Sequence, residues 1–486
     1  MSSSQQTAVL AAGPTPSVAV RAAWWRGARA QSWGLAGVFF ALYCCLSVRR
    51  QQQMLSTGFD LGIFEQGIRA YAHGHAPVSL LKGPGFDLLG DHFHPLLVLF
   101  APFYRLFPSP MTLLVGQAAL TALAIVPLTG WAHRVRGPWI AAWTGLGYGA
   151  SWGIAALIGF DFHEVCMALP LLAFALAAAG QQRWRAAALW GLPLLLVKED
   201  LGLTLAALGG YIACKGPRRL GLTLVAVGVL GTALEMLVIL PSFNPHGSFD
   251  YWNEITSGGT AASAPARTPL QTVLHTFWPF KKYVTVLMLL VPTGFLALRS
   301  PLVLLALPTL AWRFVSVNPQ YWGTGFHYDA VPVVIVFAAA VDALDKHRAG
   351  PLRGRRLAAL CAVGVLATAF YLPRYPLAGV FQPHTWTTTP RVRAATLLLE
   401  RIPDGATVAT TDRLAPQLTD RAEVSLLCTA DPPTVPPDWL LVDGGDTTNF
   451  PCPTTRMLAI AAAEQRSGAY RLVARADGIL LLHRLG

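Results

Sequence analysis

Apolar stretches of about 20 residues recur from Trp33 to about residue 372, divided by short arginine-rich tracts. In lipid every backbone polar group must be satisfied inside its own segment, so runs of this kind fold as spanning helices. The chain therefore reads as an all-α polytopic membrane protein with about 10–11 transmembrane helices. Of its 486 residues, 53% are hydrophobic and 13% charged, more apolar surface than a soluble domain of that length needs. A net charge of +12 would suggest a nucleic-acid partner in a soluble protein. Here the basic residues fall between apolar runs, where they set topology, and no nucleic-acid partner is expected. Arg far outnumbers Lys and Ala is abundant, a composition typical of a bacterial chain, so the expected location is the bacterial plasma membrane.

Arg21, Arg26 and Arg29 precede the first apolar run and place the N-terminus in the cytoplasm, with residues 1–30 read as disordered because Met1 to roughly Val20 is rich in Ser, Ala and Pro. No small-residue cleavage site follows Trp33–Val48, so that helix is retained. The membrane domain covers 31–372, with a large first outer loop, 49–109, and a second, 241–282. The basic pair Arg49-Arg50 at the outer end of helix one departs from the topology rule. Within the first loop, Phe59 to Ala72 reads as a helix with Asp60 as its cap, and His94–Phe107 is amphipathic. Helices are expected at about 110–132, 138–158, 165–180, 219–240, 283–298, 300–315, 329–345 and 356–372. Between Arg185 and Lys215 lie two shorter apolar runs, about 186–197 and 201–214, of roughly 18–21 Å each as helix. With Lys198-Glu199-Asp200 between them, they form either a broken, re-entrant pair or one long tilted helix with its charges facing inward. Residues 373–486 have the patterning of a small extracytoplasmic α/β domain. Its helices fall at Arg391–Arg401 and Thr454–Gln465. Its strands fall at Ala406–Thr410, Val424–Cys428, Trp439–Val442, Arg471–Ala474 and Gly478–His483. Outside the cytoplasm, Cys428 and Cys452 could pair.

Polar clusters at the mouths of the apolar helices carry the chemistry. Ionisable groups beside hydrocarbon are costly and usually line a water-filled path or a catalytic cavity. The clusters are Asp91, His92 and His94; Asp161, His163 and Glu164; and Lys198, Glu199 and Asp200, with His327 and Tyr328 in a further outer loop. Transfer onto a hydroxyl needs a carboxylate base, for which Asp60 and Asp91 are candidates, and positive charge for the leaving group, where Lys198 is placed. The other cluster residues, with Lys198, are candidates for binding substrate. Asp91, His94, Asp161 and His163 offer O and N donors for a divalent metal such as Mg or Mn. Each group also has a structural use: a helix cap for Asp60, a loop joint for Asp91 to His94, helix-end capping at Asp161 to Glu164, a self-neutralised cluster at Lys198 to Asp200, and an aromatic belt at His327 and Tyr328.

FDLGIFEQ (59–66), GDHFHPLL (90–97), FDFHE (160–164), LVKEDLG (196–202) and HYDAVP (327–332), in that order, resemble the domain-of-unknown-function 2079 family of bacterial membrane proteins over roughly residues 55–440. That family is similar in turn to the GT-C glycosyltransferase fold. The resemblance implies many helices, a large first outer loop carrying an acid, and a polyprenyl-phosphate sugar donor. By it, Asp60 matches the first-loop acid, Glu65 stands near the place of a second, and His94-Pro95-Leu96 falls where many such enzymes have a Lys-Pro-Pro-Leu turn. The acidic pair is interrupted here, Leu61 following Asp60, and the turn is altered.

The expected function is a membrane glycosyltransferase moving a sugar from a polyprenyl-phosphate donor to an envelope glycan, lipid or protein acceptor on the outer face. The alternative is a proton-coupled transporter or flippase of a lipid-linked or polar substrate. It would spread ionisable groups through the membrane depth and show internal repeats, whereas the clusters favour one face. A non-catalytic envelope scaffold would be indifferent to substitution at Asp60 or Asp91.

Overall fold

A computed structural model describes residues 18–251, 268–347 and 354–485. Five helices among them are long and apolar enough to cross a membrane: Arg26–Gln52, Pro110–Arg136, Arg218–Phe243, His327–Lys346 and Gly354–Arg374. Shorter apolar helices, including Glu164–Gly180, Trp184–Leu196, Leu201–Lys215 and Pro301–Val315, complete the bundle. Burial sorts them. Ala330–Lys346 is buried almost all round and forms the centre, whereas Gly354–Tyr371 buries only Gly364 and faces outward. Pro127 has no N–H to offer the carbonyl of Leu123, and the regular α-helical bonding of Pro110–Arg136 is interrupted there, at Ala124.

The expectation of a disordered segment over residues 1–30 needs correction. Residues 1–17 lie outside the described residues, but from Val18 the chain is helical and continuous to Gln52. Past Pro16-Ser17 the sequence turns to Ala and Arg, both good helix formers. At the other end of this helix Arg49 and Arg50 occupy the last turn, where the helix dipole favours cations. Arg49 also donates to the Thr385 carbonyl at 3.0 Å. The departure from the topology rule therefore has a local electrostatic reason.

Trp184–Leu196 and Leu201–Lys215 form a helical hairpin and not one tilted helix. A methyl added at Gly191 would meet Leu205 and Leu208, and one at Gly216 would meet Trp184, so the two runs lie antiparallel about Val197–Asp200. The second run then packs on Arg218–Leu234 backbone to backbone. A methyl at Gly209 would lie 2.7 Å from the Gly221 carbonyl, and one at Gly228 2.4 Å from that of Gly202. Small residues at such a stripe let lipid-embedded helices approach closely.

Asp60 does not cap a helix. The segment enters through a π-type turn, Gly58–Gly62, and the α-helix begins at Ile63 with no side-chain cap. Gly58 cannot be larger: a Cβ there would sit 2.6 Å from that of Ala415. The amphipathic stretch becomes a short 3-10 turn, Pro95–Phe100, and a helix, Ala101–Leu106, that leaves Phe103, Leu106 and Phe107 exposed.

The C-terminal residues build a five-stranded sheet of order β2-β1-β3-β5-β4, with β1 (Thr407–Thr410), β2 (Glu423–Leu426), β3 (Trp439–Asp443), β4 (Tyr470–Ala476) and β5 (Ile479–Arg484). β1 pairs in parallel with β2 and β3, and β5 antiparallel with β3 and β4. Helices Pro390–Leu399 and Thr454–Ser467 pack against it, and a disulfide joins Cys428 to Cys452. Its hydrophobic core includes Ile63, Leu81, Phe86 and Leu88 of the first loop, so loop and C-terminal domain share one core.

Candidate functional site

The first loop, the hairpin turn and the outer loop before the central helix meet around a cavity of about 500 Å³. Asp60, Asp91, His92, His94, His163, Glu164, Lys198, Glu199, Asp200, His327 and Tyr328 all line it, so the separate sequence clusters face one space. Glu65 and Asp161 do not. Glu65 points the other way and accepts hydrogen bonds from Tyr104, at 2.9 Å, and from Thr419. Asp161 turns back onto Thr57, whose N–H and hydroxyl both donate to its Oδ2 at 2.7 Å. Its φ of 55° aims the chain so that Gln117 can accept from the His163 N–H at 2.9 Å.

Local geometry explains how each cluster reaches the cavity. A Cβ at Gly90 would stand 2.5 Å from the Asn244 nitrogen, and Asn244 donates to the Gly90 carbonyl at 3.0 Å. Only glycine lets the first loop come this close to the end of helix Arg218–Phe243, and the next residues, Asp91 and His92, are delivered there. Arg313 is fully buried and donates to the Tyr328 carbonyl at 3.0 Å and to Asp329 at 2.9 Å, which fixes the backbone around His327 and Tyr328.

The lining charges are almost all matched. Lys198 pairs with Glu164 at 2.6 Å and His92 with Glu199 at 2.8 Å. Asp91 takes Lys82 at 3.0 Å and the Tyr251 hydroxyl at 3.1 Å, and Trp312 donates to Asp200 at 2.9 Å. Burial opposes the charge on Asp91, but Lys82 and His92 outweigh it and hold the carboxyl at about 2. Burial and Lys198 disfavour protonated His92, yet Glu199 and Asp91 outweigh them and raise its pKa. Burial keeps His94 and His163 neutral, at about 4 and about 3.

Asp60 is the exception. Among the described residues its carboxylate accepts no hydrogen bond, and Nδ1 of the neutral His163 ring stands 3.9 Å away. Burial first, then Asp161 and Asp412, raise its pKa well above the ordinary carboxylate value. A carboxylate left unsatisfied beside a cavity is poised to take a proton.

The donor set read for a metal does not gather. Asp91 is engaged by Lys82 and Tyr251, and Asp161 lies outside the cavity on Thr57. Among the described residues no group of three or more His, Cys, Asp or Glu is arranged to hold a metal ion.

Lys82, Tyr251, Trp312 and Phe450 also line the cavity and were not singled out in the sequence. Tyr251 lies in the aromatic stretch Phe249-Asp250-Tyr251-Trp252, and the other three each stand alone in an ordinary context. Arg313 did carry a signal: an arginine inside an apolar run is costly unless it has work to do.

No curated protein matches the chain. Among solved structures, it is similar to the crystal structure of ArnT from Cupriavidus metallidurans bound to undecaprenyl phosphate. The TM-score is 0.57 at 15% identity, over 93% of this chain and 98% of that one. At that identity the likeness speaks for the fold, which is GT-C-like with a small C-terminal sheet domain. A family model described as predicted membrane protein (DUF2079) matches residues 50–481, and the chain belongs to that family.

Proposed function

We propose that this chain is a membrane glycosyltransferase that moves a sugar from a polyprenyl-phosphate donor to an envelope acceptor on the outer face. The observation that carries the reading is Asp60, the lining carboxylate without a hydrogen bond in a cavity whose other carboxylates are engaged. In the proposed step an acceptor hydroxyl gives its proton to an Asp60 carboxylate oxygen and its oxygen attacks the anomeric carbon. The bond from that carbon to the phosphate oxygen breaks, and the electron pair leaves with the phosphate. Lys198 offers three N–H donors, of which Glu164 engages one, so it can still receive the departing charge. Glu199 favours the protonated form of His92, which would add to it. The likeness to a protein solved with undecaprenyl phosphate supports a lipid-phosphate donor. The Cys428–Cys452 disulfide supports an oxidising, extracytoplasmic location for the C-terminal domain.

The test compares lipid-linked sugar pools in cells lacking the protein, complemented with wild type or Asp60→Asn. Expected is one polyprenyl-phosphate sugar that accumulates, is cleared by wild type and is not cleared by the variant at equal protein level. Unchanged pools, or full rescue by Asp60→Asn, would sink the reading.

One observation favours the transporter reading. Glu235 lies within the span Arg218–Phe243, buried, with one carboxylate oxygen lacking a hydrogen bond. Such a group is a natural proton carrier. Loss of function in Glu235→Gln with full function in Asp60→Asn would favour transport.

A further inference from the structure

One part of the cavity wall comes from outside the membrane bundle. Phe450 belongs to the C-terminal domain and stands just before Cys452 of the disulfide. Its ring meets that of Phe59 at 4.5 Å between centres, tilted by 54°. Both rings line the cavity and keep part of their surface uncovered. Phe59 is the residue before Asp60, and the ring pair and the unsatisfied carboxylate line the same cavity.

The C-terminal domain holds both rings. Phe59 donates its N–H to Asp412 Oδ1 at 3.0 Å, and Gly58 donates to the Asp412 carbonyl at 2.8 Å. The loop carrying Phe450 is itself tied down: Thr448 N–H donates to Asp446 Oδ1 at 2.9 Å, and the Thr454 hydroxyl to the Asp446 carbonyl at 2.6 Å.

Rings that only joined two domains would be covered. Partly exposed rings beside carboxylates and imidazoles, with Lys82 Nζ 5.1 Å from the centre of the Phe59 ring, suit a ligand with an apolar face and a polar rim. A pyranose has that shape, with C–H groups on one face and hydroxyls around its edge. The negative face of an aromatic ring attracts the C–H groups, while the hydroxyls reach the carboxylate. We propose that Phe59 and Phe450 form a platform on which a sugar ring stacks beside Asp60, so that the C-terminal domain completes the sugar site. The inference rests on the glycosyl-transfer reading and deepens it.

The test is saturation-transfer NMR on the full-length protein in nanodiscs, with methyl β-D-glucopyranoside and undecaprenyl-phosphoryl glucose as probes. Wild type is expected to pass saturation from its aromatic protons to one pyranose face. Phe450→Tyr keeps the effect. Phe450→Leu, which keeps apolar packing, binds roughly 2–12-fold more weakly. Dependence on Phe450 with the free glycoside assigns the platform to the acceptor, and with the lipid-linked probe alone to the donor. Either outcome supports it. Equal transfer in wild type and Phe450→Leu, or none from either probe in wild type, overturns it. Should the pools in the Asp60→Asn experiment stay unchanged while stacking depends on Phe450, glycosyl transfer fails and the sugar platform stands. The reverse pattern removes the platform alone.

Discussion

Asp60 and Glu65 sit on one short segment of the first loop and end in opposite situations. Asp60 faces the cavity, with 27% of its side chain exposed and no hydrogen bond among the described residues. Glu65 is fully buried under the C-terminal domain, with Tyr104 and Thr419 as donors. Burial pushes its pKa up to about 8, so near neutral pH it is mostly protonated and suited to a dry interface. The contrast teaches that a carboxylate's part is read from what satisfies it. The satisfied one holds the architecture together, and the unsatisfied one is the one we propose for chemistry.

The largest effect is expected at Asp60. Asp60→Asn should leave the protein's melting temperature within a degree or two and lower transfer by about 10²–10⁴-fold, the usual worth of a general base. Parallel loss of folding and transfer would put Asp60 in the same class as Glu65. A large effect of the opposite kind is expected at Lys198. Lys198→Met leaves Glu164 buried without its cation, and folded protein should fall by about 3–5 kcal/mol of stability, measured by denaturant titration in detergent. The pH dependence of stability isolates Glu65. Its folded pKa lies above the unfolded value of 4.5, so the folded chain keeps a proton that the unfolded chain releases. The stability present at low pH is therefore lost as pH rises from about 4.5 to about 8. Melting temperatures taken from pH 5 to 8 should fall for wild type and fall less for Glu65→Gln, with transfer preserved in the variant. The smallest effect sharpens the same point. Tyr104→Phe removes one donor to Glu65 and should cost about 1 kcal/mol of stability without changing the KM for donor.

Much of the bundle was legible because lipid allows so few solutions. Apolar runs with arginine tracts between them leave little but helices, and two runs too short to span, with Lys198-Glu199-Asp200 between, left little but a hairpin or one tilted helix. Alternation was nearly as informative in the C-terminal region, where Trp439–Val442 was expected and Trp439–Asp443 is found. Legibility stopped where a residue's meaning depends on a distant neighbour. Asp60 looked like a cap because capping is a local rule, but Asp412 and Ala415 hold the turn around it from the far end of the chain. Asp161 and His163 stand two residues apart in one motif, yet only His163 faces the cavity, because Thr57 draws Asp161 away. Lys82 and Phe450 gave no local signal, since nothing near them in sequence announces what they touch.

The shared core of the first loop and the C-terminal domain also sets an order of events during synthesis. Gly58 and Phe59 leave the ribosome early, whereas Asp412, which holds them, follows more than 350 residues later. At about 5–20 residues per second that gap lasts roughly 20–70 s. Throughout it the membrane helices can insert while the loop waits without the partners that shape it. A chain released early would be an inserted bundle whose cavity lacks a wall, and the cell would have no working site until nearly the whole protein had been made.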